Sequence, residues 1–260
     1  MTNADLSLSI AADRAEIVFD RPGKRNAITS DMWRRIPELV AEAEADAAVK
    51  VILIRGEGGA FAAGADISEF ETVYATPESA AAYSKLISNA MAAVADCPKP
   101  TAAMISGPCV GGGCGLALAC DMRFADETSK FAVPPGKLGL AYTLADVKRL
   151  IDAVGVSMAK DILYTGRLLD AEEALATGLI DKLFDKPNLK VETAAFLDQV
   201  CAASQFSIRT TKKFIRLIRS GQTADNDETQ TDFLAAFGNE DFKEGYRAFL
   251  EKRKPKFEYS

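Results

Sequence analysis

Two stretches of small residues carry the clearest chemical signal in this chain. They are GAFAAGADI, Gly59 to Ile67, and GPCVGGGCGLALACD, Gly107 to Asp121. Glycine and alanine leave backbone N–H groups uncovered, and the glycines at 111–113 lead directly into an apolar, helix-like segment. The start of a helix attracts negative charge because its first N–H groups have no partners within the helix. Together the stretches predict paired backbone donors for an oxygen that gains charge during a reaction, an oxyanion hole.

The inventory of acid–base side chains narrows the chemistry. The chain has no histidine, which excludes Ser-His-Asp and Cys-His nucleophiles and histidine-ligated metals. Proton transfer must therefore use a carboxylate, Tyr, Lys, Cys or water. The five cysteines form no CxxC pair, so we expect reduced thiols, a cytoplasmic location and no bound metal. Cys109 and Cys114, which flank the glycine triplet, are expected to be buried packing residues.

Bulk composition is ordinary for a globular protein and excludes some classes of partner. The 260 residues are 48% hydrophobic and carry a net charge of −6, which does not favour nucleic-acid binding. The first ten residues lack the basic and apolar regions of a secretory signal. Since no apolar run reaches the roughly 20 residues of a membrane span, no membrane partner is expected.

Short apolar strands alternate with helical segments over the first half of the chain, which predicts an α/β fold. Strands are predicted at 6–10, 16–19, 51–54, 101–105, 122–125 and 179–183. Helices are predicted at 30–45, 66–70, 77–95, 112–119 and 170–177, and beyond Pro187 at 190–203, 207–220, 229–237 and 241–253. Pro37 is expected to kink or split the first helix. Asp170 and Glu173 are expected to form a capping box.

Four motifs in this order resemble the enoyl-CoA hydratase/isomerase, or crotonase, superfamily. They are RPGKRNAIT (Arg21 to Thr29), AFAAGADI (Ala60 to Ile67), the glycine-rich run before a helix, and FKEGYRAFLEKRKPKF (Phe242 to Phe257). The resemblance covers nearly the whole chain. It implies a crotonase-like spiral of ββα repeats over residues 1–195 and a C-terminal helical region, 196–260, that forms a homotrimer or a dimer of trimers.

The resemblance also implies an acyl-CoA substrate, with coenzyme A as part of the substrate and not as a resident cofactor. It places the two oxyanion N–H groups on Ala65 and Gly112. Asp66, next to Ala65, is also expected to cap the helix that follows it. The residues expected to bind the CoA moiety are Lys24, Arg25, Ala27, Ala60, Ala62, Ala63, Asp66, Ile67 and Lys252.

Two positions of this chain depart from the hydratases of the superfamily. Those enzymes use two glutamates to activate water, and the matching positions here are Gly115 and Pro135. Neither residue can transfer a proton, so isomerase, decarboxylase or thioesterase chemistry is favoured over hydration. The alternative is a catalytically silent member that binds CoA thioesters or a protein partner.

Tyr142 is the third candidate catalytic residue. The run KLGLAYTLADVKRL, Lys137 to Leu150, is similar to the methylmalonyl-CoA decarboxylase branch, which has a tyrosine at this place. A phenol can donate a hydrogen bond or a proton. The similarity is partial, because that branch has a histidine where this chain has Ala65 and an acid where it has Gly115.

Other carboxylates near these motifs have a simpler interpretation. The acid that isomerases of the family carry beyond the LG pair falls here on Thr143. Asp146, three residues further, is interpreted as a first-turn carboxylate favoured by the helix dipole. Glu69 and Glu71 could line an acyl pocket, but a solvated helix face is the preferred interpretation.

Overall fold

The computed structural model describes residues 5–257. The strands in this range are β1 (Leu6–Ala11), β2 (Arg14–Phe19), β3 (Val51–Gly56), β4 (Thr101–Ile105), β5 (Pro108–Val110), β6 (Met122–Asp126), β7 (Lys130–Ala132) and β8 (Lys182–Phe184). The helices are α1 (Ser30–Ala45), α2 (Phe70–Val73), α3 (Pro77–Asp96), α4 (Gly112–Ala119), α5 (Leu144–Thr165), α6 (Ala171–Ala176), α7 (Leu189–Ala202), α8 (Gln205–Arg219), α9 (Asp227–Gly238) and α10 (Glu240–Leu250).

Six strands form one sheet in the order β1-β2-β3-β4-β6-β8, and β5 pairs with β7 in a second sheet. β1 and β2 are an antiparallel hairpin, whereas every other pair is parallel. Parallel neighbours need crossover connections, which α1 supplies between β2 and β3 and α3 supplies between β3 and β4. The α/β class predicted from the alternation of strands and helices is confirmed.

β3 shows why the strands are apolar on both faces. Ile52 and Ile54 belong to the main core with α1 and α3, whereas Val51 and Leu53 belong to a second cluster with α7. Successive side chains of a strand point to opposite faces, so a sheet that is covered on both sides needs a continuous apolar run. Helices on both faces therefore hold the carboxyl ends of the parallel strands in place.

The predicted start of α1 is confirmed, and of the kink or split expected at Pro37 the split does not occur. Thr29 caps the helix by accepting a hydrogen bond from the Met32 amide at 3.3 Å, and the helix runs through Pro37 to Ala45. Proline removes one intrahelical hydrogen bond, but packing stabilises the helix on both sides of it. The buried residues of this face are Met32, Trp33, Ile36, Leu39, Val40 and Ala43.

The capping box predicted at Asp170 is only half formed. The Asp170 carboxylate accepts from the Glu173 amide at 2.9 Å and so begins α6 as expected. The carboxylate of Glu173 does not return to residue 170, because Arg167 binds it with two hydrogen bonds of 2.8 and 2.5 Å. A guanidinium competes successfully with a backbone amide for a carboxylate.

The shortest strands were the least predictable from the sequence. β5 and β7 have three residues each and were not predicted, and β8 lies at Lys182–Phe184 instead of at 179–183. Three residues contain too little alternation to show a period of two. Their positions depend on partner strands that are distant in the chain.

The C-terminal helices leave much apolar surface exposed. Phe233, Phe237, Phe249 and Leu250 are 57%, 52%, 83% and 73% exposed. The predicted boundary after residue 195 falls within α7, whose buried residues pack on the sheet. The two-part division remains a prediction, and its ends at 1–4 and 258–260 lie outside the described residues. Between residues 5 and 257, no helix has the length and apolar character needed to cross a bilayer.

Candidate active site

Asn26 ties together the two loops on one side of the site. Its side chain accepts from the Arg21 amide at 2.8 Å and donates to the carbonyls of Glu57 and Ala60 at 2.9 and 2.6 Å. The residue is completely buried. A buried amide that satisfies three backbone groups fixes the loop that leads from β3 to Ala65. The sequence interpretation did not assign Asn26 a role.

Backbone pairing then determines the direction of the Ala65 amide. Ile28 donates to the Gly64 carbonyl at 2.8 Å, and Asp66 donates back to the Ile28 carbonyl at 2.9 Å. In such a parallel bridge the residue between the two bonded groups, here Ala65, points its own N–H away from the partner strand that contains Ile28. Within residues 5–257 no hydrogen-bond partner is found for the Ala65 amide.

The second stretch begins α4 at the predicted residue. Gly111 has a φ of 55° and donates to the Ala132 carbonyl at 2.8 Å, which turns the chain into the helix. Gly112 is the first residue of α4, where an amide has no partner within the helix. In the described part of the chain the Gly112 amide has no other partner either.

The two unpaired amides lie close together. A Cβ built on Gly64 would be 3.7 Å from the Gly112 nitrogen, and a Cβ built on Gly112 would be 3.8 Å from the Ala65 nitrogen. A Cβ on Gly113 would be only 2.3 Å from the Ala62 carbonyl oxygen, so a side chain there would force the loops apart. We call the N–H groups of Ala65 and Gly112 the amide pair.

The amide pair borders a cavity of about 530 Å³. One wall is a face of α3 with the helical spacing 80, 81, 84, 87, 88 and 91, and the opposite wall is the segment from Pro134 to Asp146. Phe70 and Tyr74 border the same space, with their rings 5.0 Å apart. A largely apolar cleft with a few convergent polar groups is the usual form of a small-molecule site.

Tyr142 lies in this cavity, near the start of α4. Its hydroxyl would be 3.8 Å from a Cβ built on Gly111. Burial raises the pKa of the Tyr142 phenol, and the negative charges of neighbouring groups, Asp146 among them, raise it further. The phenol is therefore protonated at neutral pH and can act as a donor, not as a base.

Neither of the two replaced positions contributes an acid to the cavity. Pro135 lines the cavity and is buried. Gly115 is buried and separated from the cavity by Met91, whose methyl group would lie 2.6 Å from a Cβ at position 115. Neither residue carries a side chain that can transfer a proton.

Asp146 lines the cavity, but its carboxylate is already paired. One oxygen accepts from the Thr143 hydroxyl at 2.6 Å, and the other accepts from Arg149 at 2.9 Å. The Asp146 amide in turn donates to Thr143 Oγ1 at 3.2 Å, which completes a reciprocal cap of α5. These contacts agree with the interpretation of Asp146 as a first-turn carboxylate.

The expected CoA-binding residues are only partly brought together. Ala63 and Ile67 line the cavity, and Ala60 and Ala62 are buried in the loop behind it. Lys24, Arg25 and Lys252 are exposed, and Ala27 accepts from Arg21 at 2.6 Å through its carbonyl. None of the last four residues borders the cavity.

Asp66 has the structural duty that the sequence predicted for it. Its carboxylate caps the following turn through Ser68 at 2.7 Å and pairs with Arg21 Nη1 at 3.0 Å. The Ser68 hydroxyl and, next, the Arg21 guanidinium hold the pKa of Asp66 below its ordinary value. The carboxylate is thus occupied on the side of Arg21, and its role in CoA binding remains a prediction.

Glu69 and Glu71 do not border the cavity. Glu69 accepts from the amide and hydroxyl of Ser30 at 2.8 and 2.7 Å, which ties α1 to the turn before α2. Glu71 is exposed. Cys109 and Cys114 are buried free thiols, as expected, and burial raises the pKa of Cys109. Within 5–257 no cluster of three or more possible metal ligands is found.

Trp33 and Met91 are cavity-lining residues that the sequence interpretation did not assign to the site. Each is apolar and lies on an amphipathic helix, so the sequence signal is the same as for any core residue. Their proximity to α4 follows from helix packing, which no local pattern reports.

A larger cavity of about 730 Å³ lies elsewhere, between α3, α5 and α8. Its cations are already paired: Lys212 with Asp121 at 2.6 Å, Arg219 with Asp152, and Arg149 with Asp146. It does not include the amide pair. The smaller cavity is therefore the better candidate for chemistry.

Comparison with known proteins identifies the family of the chain. The family model described as enoyl-CoA hydratase/isomerase matches residues 10–260. The chain is similar to a crystal structure from Hyphomonas neptunium assigned to the same family, with a TM-score of 0.96, 52% identity and 98% of each chain covered. It is also similar to an enoyl-CoA hydratase/carnitine racemase from Magnetospirillum magneticum, with a TM-score of 0.94, 33% identity, and 98% and 96% of the chains covered. A crotonyl-CoA hydratase from Syntrophomonas wolfei is 33% identical over 94% of both chains.

Proposed function

Because the chain belongs to the enoyl-CoA hydratase/isomerase family, we propose that it stabilises a thioester enolate in an oxyanion hole formed by Ala65 and Gly112. The observation that carries this proposal is the amide pair, two neighbouring backbone donors that border one cavity and have no partners within residues 5–257. Two N–H groups already in place need no reorganisation when charge develops on the thioester oxygen.

The reaction class follows from what surrounds the amide pair. Addition of water across a double bond needs groups that take a proton from water and deliver one to carbon. Positions 115 and 135 offer no such group, and Asp146 is paired with Arg149 and Thr143. Isomerisation, decarboxylation or thioester hydrolysis is therefore favoured over hydration. Of the three only decarboxylation needs no base, and the other two would take their proton-transfer group from elsewhere in the site. Several relatives are nevertheless named as hydratases.

Decarboxylation of a malonyl-type thioester has one specific observation in its favour. The C–C bond to the carboxylate breaks, its electron pair moves into the enolate, and carbon dioxide leaves without a base. The enolate carbon then takes a proton, which a neutral phenol can supply. Water returns a proton to the resulting phenolate. The proximity of the protonated Tyr142 phenol to Gly111 supports this step.

CoA binding and assembly complete the proposal. Backbone groups of the loop 60–67 would hold the pantetheine arm, and Lys24, Arg25 and Lys252 would supply exposed cations for phosphate groups. The exposed aromatic surface of the C-terminal helices would be covered in a homotrimer or a dimer of trimers. Five reduced cysteines favour a cytoplasmic location.

A panel of thioesters tests the proposed reaction class. The protein is incubated with crotonyl-, 3-enoyl-, malonyl-, methylmalonyl- and acetyl-CoA, and the products are followed by mass spectrometry. We expect turnover of one of the last four and negligible addition of water to crotonyl-CoA. Rapid hydration of crotonyl-CoA would show that another acid serves and would overturn the assignment of Gly115 and Pro135.

Binding measurements separate the enzyme from the silent alternative. Isothermal titration with acetyl-CoA and crotonyl-CoA should give heat with at least one ligand. Binding without turnover of any member of the panel would favour a silent CoA-thioester-binding protein. An absence of binding to both would leave only a protein-interaction role.

A further inference from the structure

Met91 closes the cavity beside Gly115. A Cβ built on Gly115 would lie 2.6 Å from Met91 Cε and 3.4 Å from Met91 Sδ. Non-bonded carbons do not approach to 2.6 Å, so the thioether occupies the space that a side chain at position 115 would enter. Met91 is 2% exposed and borders the cavity, whereas Gly115 is buried behind it.

The position of Met91 relative to the amide pair follows from α4. Gly112 begins the helix, and the Gly115 amide donates to the Gly111 carbonyl at 3.0 Å, so Gly115 lies one turn further along. Three residues of helix correspond to a rise of about 4.5 Å. An acyl group whose carbonyl oxygen is bound by the amide pair would therefore present its next carbons close to the Met91 thioether.

The open part of the cavity lies away from Met91, along the face of α3. Ala80, Ala81 and Ser84 form the part of the α3 face that is nearer to its N-terminus, and all three have small side chains. Ile87 and Met91 are the large residues of this face. The cavity is therefore open along the N-terminal part of the α3 face, and large side chains of α3 fill the region next to α4.

We propose that Met91 is a specificity-determining residue, which disfavours a branch on the carbon beside the thioester carbonyl, so that a malonyl-type substrate would be malonyl-CoA rather than methylmalonyl-CoA. This inference rests on the proposed function, since it takes the amide pair as the site of the carbonyl oxygen. Gly115 is also needed for this role, because a Cβ at position 115 would displace the Met91 thioether.

The arrangement allows two substitutions with opposite effects. Met91→Ala removes the thioether and opens the space beside Gly115. Gly115→Ala adds a methyl group where Met91 Cε lies, and the flexible thioether must move, with the cavity as its open side. The first variant should admit a branch next to the carbonyl, and the second should exclude it more strongly.

The experiment compares the affinities for acetyl-CoA and 2-methylpropanoyl-CoA by isothermal titration, with mass spectrometry to verify that the ligands remain intact. The quantity of interest is the ratio of the two dissociation constants. We expect Met91→Ala to shift this ratio about 10-fold toward the branched ligand, and Gly115→Ala to shift it several-fold the other way. Met91→Leu, which conserves volume, is the control and should leave the ratio within about twofold.

The outcomes separate this inference from the proposed function. If acetyl-CoA binds and neither Met91→Ala nor Gly115→Ala moves the ratio, the role of Met91 is overturned while the oxyanion hole stands. If the wild-type protein binds neither ligand, the proposed function itself fails. Should Met91→Ala lower the unfolding temperature too far for titration, Gly115→Ala still decides the question. Its ratio of dissociation constants is expected to shift against the branched ligand, and no shift or the opposite shift would overturn the role of Met91.

Discussion

The indole ring of Trp33 lies against Gly112, so that a Cβ built on Gly112 would stand 3.0 Å from Trp33 Cζ2. Trp33 is fully buried on α1, and Gly112 begins α4. The contact joins the first helix of the chain to a residue of the amide pair. Because of this contact, any side chain introduced at Gly112 would meet the indole. A variant that removes the Gly112 N–H therefore needs a control variant that adds a Cβ but keeps the N–H.

Gly112→Pro should abolish most of the activity found with the thioester panel. Proline removes the N–H but fits the first position of a helix, so α4 should still form. Loss of one oxyanion donor typically lowers kcat by about 100- to 1000-fold. Steady-state kinetics on the best substrate measures the effect.

Gly112→Ala is the matched control for that variant. It brings a Cβ to the same place against Trp33 but keeps the N–H group. We expect it to retain most of the activity that the proline variant loses. Equal losses in both variants would assign the effect to packing against Trp33 and would count against the oxyanion role of Gly112.

Tyr142→Phe should lower kcat by about 100-fold and leave the affinity for acetyl-CoA nearly unchanged, because it removes the proton donor and retains the ring. Since burial raises the pKa of Tyr142, the donor form should persist above the ordinary tyrosine pKa of about 10. The wild-type rate should therefore not fall between pH 7 and 10 through ionisation of Tyr142. The pH–rate profiles of the wild type and Tyr142→Phe should have the same shape over this range. A wild-type kcat matched by the variant would remove Tyr142 from the mechanism.

Asp66→Asn should lower the free energy of unfolding at pH 7 by about 1–3 kcal/mol, because Ser68 and Arg21 bind the charged carboxylate. The pKa of Asp66 is lowered in the folded protein, so its contribution is present above the ordinary pKa of about 4 and is lost as the pH falls through the folded value. Urea unfolding at pH 7, 5 and 3 should show this dependence in the wild type and a weaker one in the variant.

Asp31→Asn provides the comparison for the Asp66 variant. Asp31 pairs with Arg34 on the surface of α1, and its side chain is 74% exposed. Exposed pairs contribute about 0–1 kcal/mol, so this variant should change stability little at any of the three pH values. If both variants behaved alike, the Arg21–Asp66–Ser68 cluster would not stabilise the loop at Ala65.

Phe249→Glu should reduce self-association of the protein. Phe249 is 83% exposed beside Leu250 at the end of α10, and a carboxylate in an apolar contact between copies is costly. Light scattering after size-exclusion chromatography should show a trimer or hexamer for the wild type and a smaller species for the variant. Val191→Ser, an exposed apolar position on α7, should leave the mass unchanged. A monomeric wild type would contradict the assembly part of the proposal.

Helix starts were the most predictable features, because their signals are local. α1 and α3 begin at the predicted residues 30 and 77, and Thr29, Thr76 and Asp170 each accept a hydrogen bond from an amide three residues later. The same holds for α4, which begins and ends at the predicted residues. β5 and β7 were missed since each is stabilised by a distant partner, and α1 is not split at Pro37 since packing outweighs one lost hydrogen bond.

The candidate site divides in the same way. The two stretches of small residues could be recognised in advance because glycine and alanine are local features of the sequence, and the resemblance to the family then pointed to Ala65 and Gly112 within them. Asn26 and Met91 could not, because an asparagine in a loop and a methionine on an apolar helix face have many possible partners.

The types of residue in the chain settle that no histidine takes part in any chemistry and that positions 115 and 135 hold no acid. The fold alone places the Ala65 and Gly112 amides beside one cavity and fills the space at Gly115 with Met91. The reason is that a side chain's chemistry is intrinsic, whereas its distance to another depends on how elements far apart in the chain pack together.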